Sequence, residues 1–453
     1  MSTAAEKTAA QNASAQKGAG QLTPASLTPA QKTALELGEY AAASPSSYHA
    51  ADEASRRLQA AGYELLDEAQ TWNLAPGGRY VLVREGAVAA FALPADISAD
   101  VSAGSLRYRV FGAHTDSPGF KLKPGGAHTA AGFTQVGVEV YGGVLLNSWL
   151  DRELCFAGRL ALRDGTTVLA RTPGVARIPQ LAIHLDRQVN EGLKLDRQQH
   201  TVPVVGLEVC GGDVLGLLAE SAGVSADQIV GHDVITAPVQ EAALFGASQE
   251  LLACSRMDNL SSTFAGLRAM EELDTKNLTA VSVFISNDHE EVGSETRTGA
   301  SGPMLADILE RVSISVGADR EAHLRAIAGS ICISADAGHA VHPNYPERHD
   351  PQVRPTLGEG LLLKLNAVQR YATDAVGTAE WARLCDEADV QYQPFVSNNA
   401  MPCGSTIGPL TATRLGMTVV DAGIPLLSMH SAREMAAVED VEALVKVAAA
   451  HLG

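Results

Sequence analysis

Two regimes of hydrophobic patterning alternate along the 453-residue chain. Apolar residues recurring every three to four positions mark one face of a helix, and those recurring every second position, or running together, mark strands. The segment "YHAADEASRRLQAAGYELL" sets Ala51, Ala54, Leu58 and Ala61 on one helical face. "RYVLVREGAVAAFAL" predicts a hairpin turning at Glu85-Gly86, and "LRYRVFGAHTDSPG" a strand that ends in His114 and Asp116. From about 117 to 255 the texture changes to Gly-rich β segments such as "TQVGVEVYGGVLL" and "ARIPQLAIHL". Beyond 256 helical and strand patterns alternate again. "MDNLSSTFAGLRAMEEL" aligns Leu260, Phe264, Leu267 and Leu273, and strands follow at "TAVSVFIS", "GSICISAD" and "GMTVVDAG". This alternation predicts an α/β fold, a mostly parallel sheet covered by helices, interrupted by an inserted, mainly β domain. Residues 1–37, rich in Ala, Thr, Gln and Ser, read as a mobile tail, with ordered structure expected from near Leu35. The main domain is then discontinuous, 38–116 plus 256–453, and the insert spans 117–255.

Composition narrows the classes of function. With 46% hydrophobic and 19% charged residues the chain can bury a sizeable core. A net charge of −18, from 34 basic and 52 acidic residues, disfavours nucleic acid and anionic membrane surfaces as partners. It leaves room for a small acidic ligand, because a local cationic pocket can override the global field. No apolar run reaches membrane-spanning length, and the N-terminus lacks a basic-then-apolar export pattern. The six cysteines, at 155, 210, 254, 332, 385 and 403, form no C-x-x-C pair. A cytoplasmic protein with reduced, mostly buried thiols is the expectation.

In open α/β sheets ligands bind beyond the carboxyl ends of the strands, and the chemically capable residues fall there. His114 and Asp116 follow the strand ending near Phe111, and Glu290 and Glu291 follow the strand ending at Ile285. Asp336 follows "SICISA", His430 lies just after "IPLLSM", and Asp258 opens the helix after "LLACSRM". Taken singly, each has a plain structural role: Asp258 an N-cap, Asp336 a turn residue, Glu290-Glu291 a solvated pair. Together they pose a charge problem, since carboxylates converging in a cleft raise one another's pKa values. A pair of divalent cations removes it. Imidazole with carboxylate suits zinc, and also cobalt or manganese. Two such ions need a bridging carboxylate and leave a position open for water. Asp116, two residues beyond His114, can hold that ring as a hydrogen-bond partner.

The blocks "GAHTDSPGFKLKP", "LAIHLDR", "SRMDNLSS", "HEEVGS", "SADAGHAVHPNY", "LNAVQRYAT", "CGSTIGP" and "GIPLLSMHSARE" lie in this order from about 105 to 435. Together they resemble the M18 family, the aspartyl aminopeptidases. The resemblance implies a two-metal peptidase domain with an inserted dimerisation domain, assembling from dimers into a tetrahedral dodecamer. It implies His114, Asp258, Glu291, Asp336 and His430 as metal ligands, with Asp258 bridging two divalent ions, zinc foremost. Glu290 would be the general base that activates a metal-bridging water, and Asp116 would orient His114. His184 would enter the active site of a neighbouring subunit and stabilise the oxyanion. His339, Lys364 and Tyr371, with His184, match substrate-binding positions, and Lys364 would attract an acidic N-terminal side chain.

Alternatives stand beside this picture. His184 read by itself is a core or interface histidine, or a third zinc ligand with His114 and His430; the second scheme leaves Glu291, Asp258 and Asp336 unneutralised. Lys364 read by itself is a solvated helix lysine. His342 reads as structural, and "CGSTIGP" as a loop beside the site or an anion nest. The expected activity is removal of N-terminal Asp or Glu from peptides. A related two-metal exopeptidase or deacylase of neutral specificity is the enzymatic alternative, and a non-catalytic assembly protein the alternative of another class.

Overall fold

Nine strands build the larger sheet. Their order in space is Glu64–Leu65, Arg79–Arg84, Ala87–Ala92, Val281–Asn287, Tyr108–His114, Ile331–Ala335, Thr418–Gly423, Leu361–Lys364 and Tyr392–Phe395. The computed structural model describes residues 27–97, 101 and 104–453. The four strands from Val281–Asn287 to Thr418–Gly423 run parallel. Antiparallel pairs occur on either side of them. Side chains alternate across the sheet with period two. Ala90 and Ala92 face the layer that holds helices Pro29–Ala43, Ser47–Ala60, Met257–Glu271 and Val438–Leu452. Ala89 and Phe91 face the layer of Met304–Ser315 and Arg320–Ala328. Helices cover both faces, so the parallel strands are near-continuous apolar runs.

The ordered chain starts earlier than expected. Residues 29–37, assigned from composition to a mobile tail, lie in the helix Pro29–Ala43 and bury Ala30, Ala34 and Leu37. Thr28 caps this helix: its hydroxyl accepts from the Gln31 N–H and the Gln31 side chain accepts from the Thr28 N–H, with Pro29 in the first turn. That reciprocal cap was legible as "TPAQ". Residues 1–26, the rest of the expected tail, lie outside the described residues.

Seven antiparallel strands between Gly119 and Pro238 form the second sheet. Ile229–Pro238 pairs with both Gly119–Ala130 and Glu153–Leu162, which curls the sheet into a barrel around Phe120, Trp149, Phe156 and Leu160. Leu251–Cys254 pairs with Ala243–Phe245 on one side and with Glu434–Ala437 on the other, making a three-stranded sheet. Residues 251–254, grouped with the insert on texture, therefore hydrogen-bond to the C-terminal part of the chain.

"ARIPQLAIHL" is strand only over Ala176–Arg177, with a single bridge at Ile178. Beyond it Leu181, Ile183 and Leu185 stand 61, 49 and 75% exposed. All six cysteines are free, and four of them are buried. No helix among the described residues is long and apolar enough to cross a membrane.

Candidate active site

Parallel register sets the site. Asn287 pairs with His114, and Ser334 with Gly112, so three neighbouring strands end at one level. His114 ends its strand 1% exposed. Its Nδ1 lies 3.1 Å from the Asp116 carbonyl and 3.3 Å from the Asp116 carboxylate. Both partners accept, so Nδ1 carries the hydrogen and Nε2 is left as the donor atom for a ligand. Nε2 stands 3.5 Å from Asp258 Oδ1, 3.6 Å from Asp336 Oδ1 and 3.9 Å from Glu290 Oε2.

His430 is fixed in the same way. Its Nδ1–H donates to the Gly143 carbonyl at 3.0 Å, and Nε2 lies 3.2 Å from Asp258 Oδ2 and 3.3 Å from Glu291 Oε1. A neutral ring so oriented sets a lone pair against two carboxylate oxygens. Either the ring is charged or a cation stands between them. Without a cation, burial opposes ring charge, but Asp258 and Glu291 outweigh it and raise His430 to about 11. Burial likewise opposes charge on His114, yet Asp116, Asp258 and Asp336 hold it well above its ordinary value.

Asp258 does not cap its helix. Arg256 occupies that position, and Asp258 sits in the first turn with non-helical backbone, its N–H held by Glu434 and its carbonyl by Ser117. Its carboxylate is thereby free to face both histidines. Glu290 and Glu291 lie on a single 3₁₀ turn, Glu290–Val292, entered through His289 at φ 61° and left through Gly293 at φ 99°. Successive residues of such a turn are about 120° apart, so both can face the cleft. Asp116 anchors the turn, accepting from the N–H groups of Glu290 (3.0 Å) and Glu291 (3.1 Å). Burial raises the Glu290 carboxyl to about 8 and that of Glu291 to about 7. Asp288, buried behind the turn, is raised by burial to about 6 and accepts from the His289 N–H.

The donor atoms fit a metal. Ligands about 2.0–2.1 Å from a tetrahedral zinc stand roughly 3.3 Å apart, which is the spacing of His114 from Asp258 and Asp336, and of His430 from Asp258 and Glu291. Each trio keeps its donor atoms mutually within 4.8 Å. Asp258 Oδ1 and Glu291 Oε1 are buried without a hydrogen-bond partner, and buried polar atoms ordinarily have one.

A family profile described as "Aminopeptidase I zinc metalloprotease (M18)" matches residues 40–451. The chain belongs to the M18 aminopeptidase family. A "Probable M18 family aminopeptidase 2" of Streptomyces coelicolor is 46% identical over 423 residues, covering 92% of this chain and 96% of its own. Its namesake in Streptomyces avermitilis is 48% identical over 411 residues, covering 89% and 94%. Among solved structures, the chain is similar to one described as the Ape4 and Nbr1 complex (TM-score 0.89, 33% identity, covering 95% of this chain and 87% of that one). It is also similar to the mApe1 dodecamer of S. cerevisiae (TM-score 0.78, 28% identity, covering 92% and 95%). The protein is therefore a zinc metallo-aminopeptidase rather than a non-catalytic scaffold.

Lys364 stands beside Asp336 of the cluster. It ends the strand Leu361–Lys364, 2% exposed rather than solvated on a helix. Its ammonium donates to the Ala337 carbonyl (2.8 Å), stands 3.4 Å from Asp336 Oδ2 and 5.5 Å from the centre of the Tyr371 ring. His339 opens onto a pocket of about 400 Å³ that Arg348, His349 and Phe395 also line. His342 lines the same pocket, and its N–H donates to His349 Nε2. In "CGSTIGP", Thr406 caps the helix Ile407–Leu415 and donates to Asp421. His184 is exposed on the insert and joins none of the metal-capable groups among the described residues.

Glu434 was missed. At 2% exposure, it accepts from the N–H of Asp258 (3.1 Å) and of His430 (2.8 Å), clamping the backbone of two of the cluster's residues with one carboxylate. Its only signal was an acid opening an otherwise apolar strand, "EMAA"; the pairing of Glu434 with Cys254 brings it to Asp258.

Proposed function

We propose that this M18 enzyme is a two-zinc aminopeptidase that removes N-terminal Asp or Glu from peptides, with Glu290 as its general base. The observation that carries the two-metal reading is the Asp258 carboxylate, which turns Oδ1 to His114 and Oδ2 to His430. One zinc would be held by His114, Asp258 and Asp336, the other by His430, Asp258 and Glu291. Cobalt or manganese suits the same donors. Bound there, zinc supplies Lewis acidity, polarising the scissile carbonyl and acidifying a water. The protein's part is proton transfer and alignment. Glu290 accepts the proton of the attacking water and returns it to the departing amine. Burial has raised its carboxyl to about 8, and nearby cations draw such a value down toward neutrality, where a group both takes and gives a proton. Asp116 holds the His114 ring and the Glu290-Glu291 turn in one frame.

The buried ammonium of Lys364, with Tyr371 and His339, supports recognition of an acidic first residue. A second reading, neutral specificity, rests on the same lysine, because Ala337 and Asp336 already engage its charge. Peptides identical except for an N-terminal Asp, Glu, Leu or Ala decide between them. The proposal expects the highest kcat/KM for Asp and Glu, and faster cleavage of Leu than of Asp would sink it.

His184 is proposed to complete the oxyanion site of a neighbouring subunit. Exposed Leu181, Ile183 and Leu185 beside it form an apolar surface of the kind that a second copy covers. We therefore assign 117–255 to dimerisation, and the dimers to a tetrahedral dodecamer, the first supported by that surface and the second by the likeness to the mApe1 dodecamer. The protein is proposed to act in the cytoplasm. Mixing His184→Ala subunits with Glu290→Gln subunits, each inactive alone, should restore activity, since some sites then receive an intact glutamate and an intact histidine. No recovery after reassembly would show that His184 does not serve the site of a neighbouring subunit.

A further inference from the structure

Three consecutive residues of the insert each touch a different member of the site. The Tyr141 hydroxyl donates to Asp116 Oδ2 at 2.7 Å. Gly142, at φ 71°, packs on Glu291: a Cβ there would lie 3.1 Å from the Glu291 Cβ. The Gly143 carbonyl accepts from His430 Nδ1, and a Cβ on Gly143 would meet that nitrogen at 3.0 Å. The chain next holds the backbone around His430. The Leu145 N–H donates to the His430 carbonyl (3.1 Å), and the Ser148 hydroxyl accepts from the Ala432 N–H (2.9 Å). The strap is anchored at both ends in the insert. Tyr141 closes the barrel strand Phe133–Tyr141, and Trp149 is buried in the insert core, edge-on to Phe120.

From this geometry we infer that Tyr141–Gly143 is a positioning strap, through which the insert holds Asp116, Glu291 and His430 in the arrangement that binds metal. The inference rests on the two-metal reading of the site. The insert is then part of the metal site's supporting framework as well as an assembly module. Tyr141 keeps Asp116 aimed at the His114 ring and the glutamate turn, and Gly143 fixes which nitrogen of His430 is free. The glycines ease this contact, because an added Cβ would crowd Glu291 at 3.1 Å and His430 at 3.0 Å.

Full-length Tyr141→Phe and Gly143→Ala proteins test the strap. Zinc affinity is read by competition with a chromophoric chelator, alongside kcat and KM. Partners that orient metal ligands are worth about 10–100-fold in metal affinity or activity. Each variant should therefore bind zinc roughly ten-fold or more weakly. Its kcat should be lowered, its KM little changed, and added zinc should restore part of the activity. Tyr141→Phe deletes a single oxygen and carries the test alone if Gly143→Ala does not fold. Wild-type zinc affinity and kcat in the folded variants would overturn the strap while leaving the two-metal reading standing. If the wild-type protein itself takes up fewer than two zinc ions per chain, the two-metal reading fails instead.

Discussion

Replacing Glu290 with glutamine is expected to lower kcat by about 10²–10⁴-fold, the usual worth of general acid–base catalysis, with zinc content unchanged. Glutamine keeps the shape of the side chain and cannot take a proton. Glu290 Oε2 is 3.9 Å from His114 Nε2, farther than Asp258 or Asp336, so the amide spares the closer donor set. Steady-state kinetics paired with metal analysis on the same preparation check both halves. A fall in kcat with loss of zinc would make Glu290 a ligand rather than the base, and an unchanged kcat would remove it from the reaction.

The largest loss should come from Asp258→Asn. A partner that only orients a ligand is worth about 10–100-fold. Asp258 faces both histidines, one oxygen to each, so its substitution should weaken both proposed metal sites at once. Turnover should fall to background and zinc retained after dialysis to at most one ion per chain. Far-UV circular dichroism should be unchanged, because the replacement is isosteric. Retention of two zinc ions and measurable activity would show that the two clusters do not share this carboxylate.

Much of the site was legible because strand ends of a parallel sheet converge. His114, Glu291 and Asp336 come from distant stretches of sequence yet follow neighbouring strands of that sheet, whereas Asp258 and His430 follow Leu251–Cys254 and Pro425–Leu426, strands of two smaller sheets. The division between Glu290 and Glu291 depended on local geometry that period-two reasoning misses. On an extended chain neighbours point apart, and on the 3₁₀ turn found here both can face the cleft. Contacts between the barrel and the catalytic sheet were hidden. Nothing local in "VYGG" or "SARE" shows that Tyr141 reaches Asp116, or that Glu434 reaches the Asp258 amide. At the insert "ARIPQLAIHL" imitated a strand, because Leu181, Ile183 and Leu185 alternate as a half-buried strand would, although they stand exposed. At the N-terminus composition misled, since an Ala- and Gln-rich segment capped by Thr28 is a good helix former.

The central claim is that two metal ions share Asp258. Diffraction from zinc-loaded crystals, with data collected on both sides of the zinc absorption edge, tests it most directly. Two anomalous peaks per chain are expected, one among His114, Asp258 and Asp336 and the other among His430, Asp258 and Glu291. A single peak, or one ion held by His114, His430 and a His184 with the carboxylates left free, would contradict it.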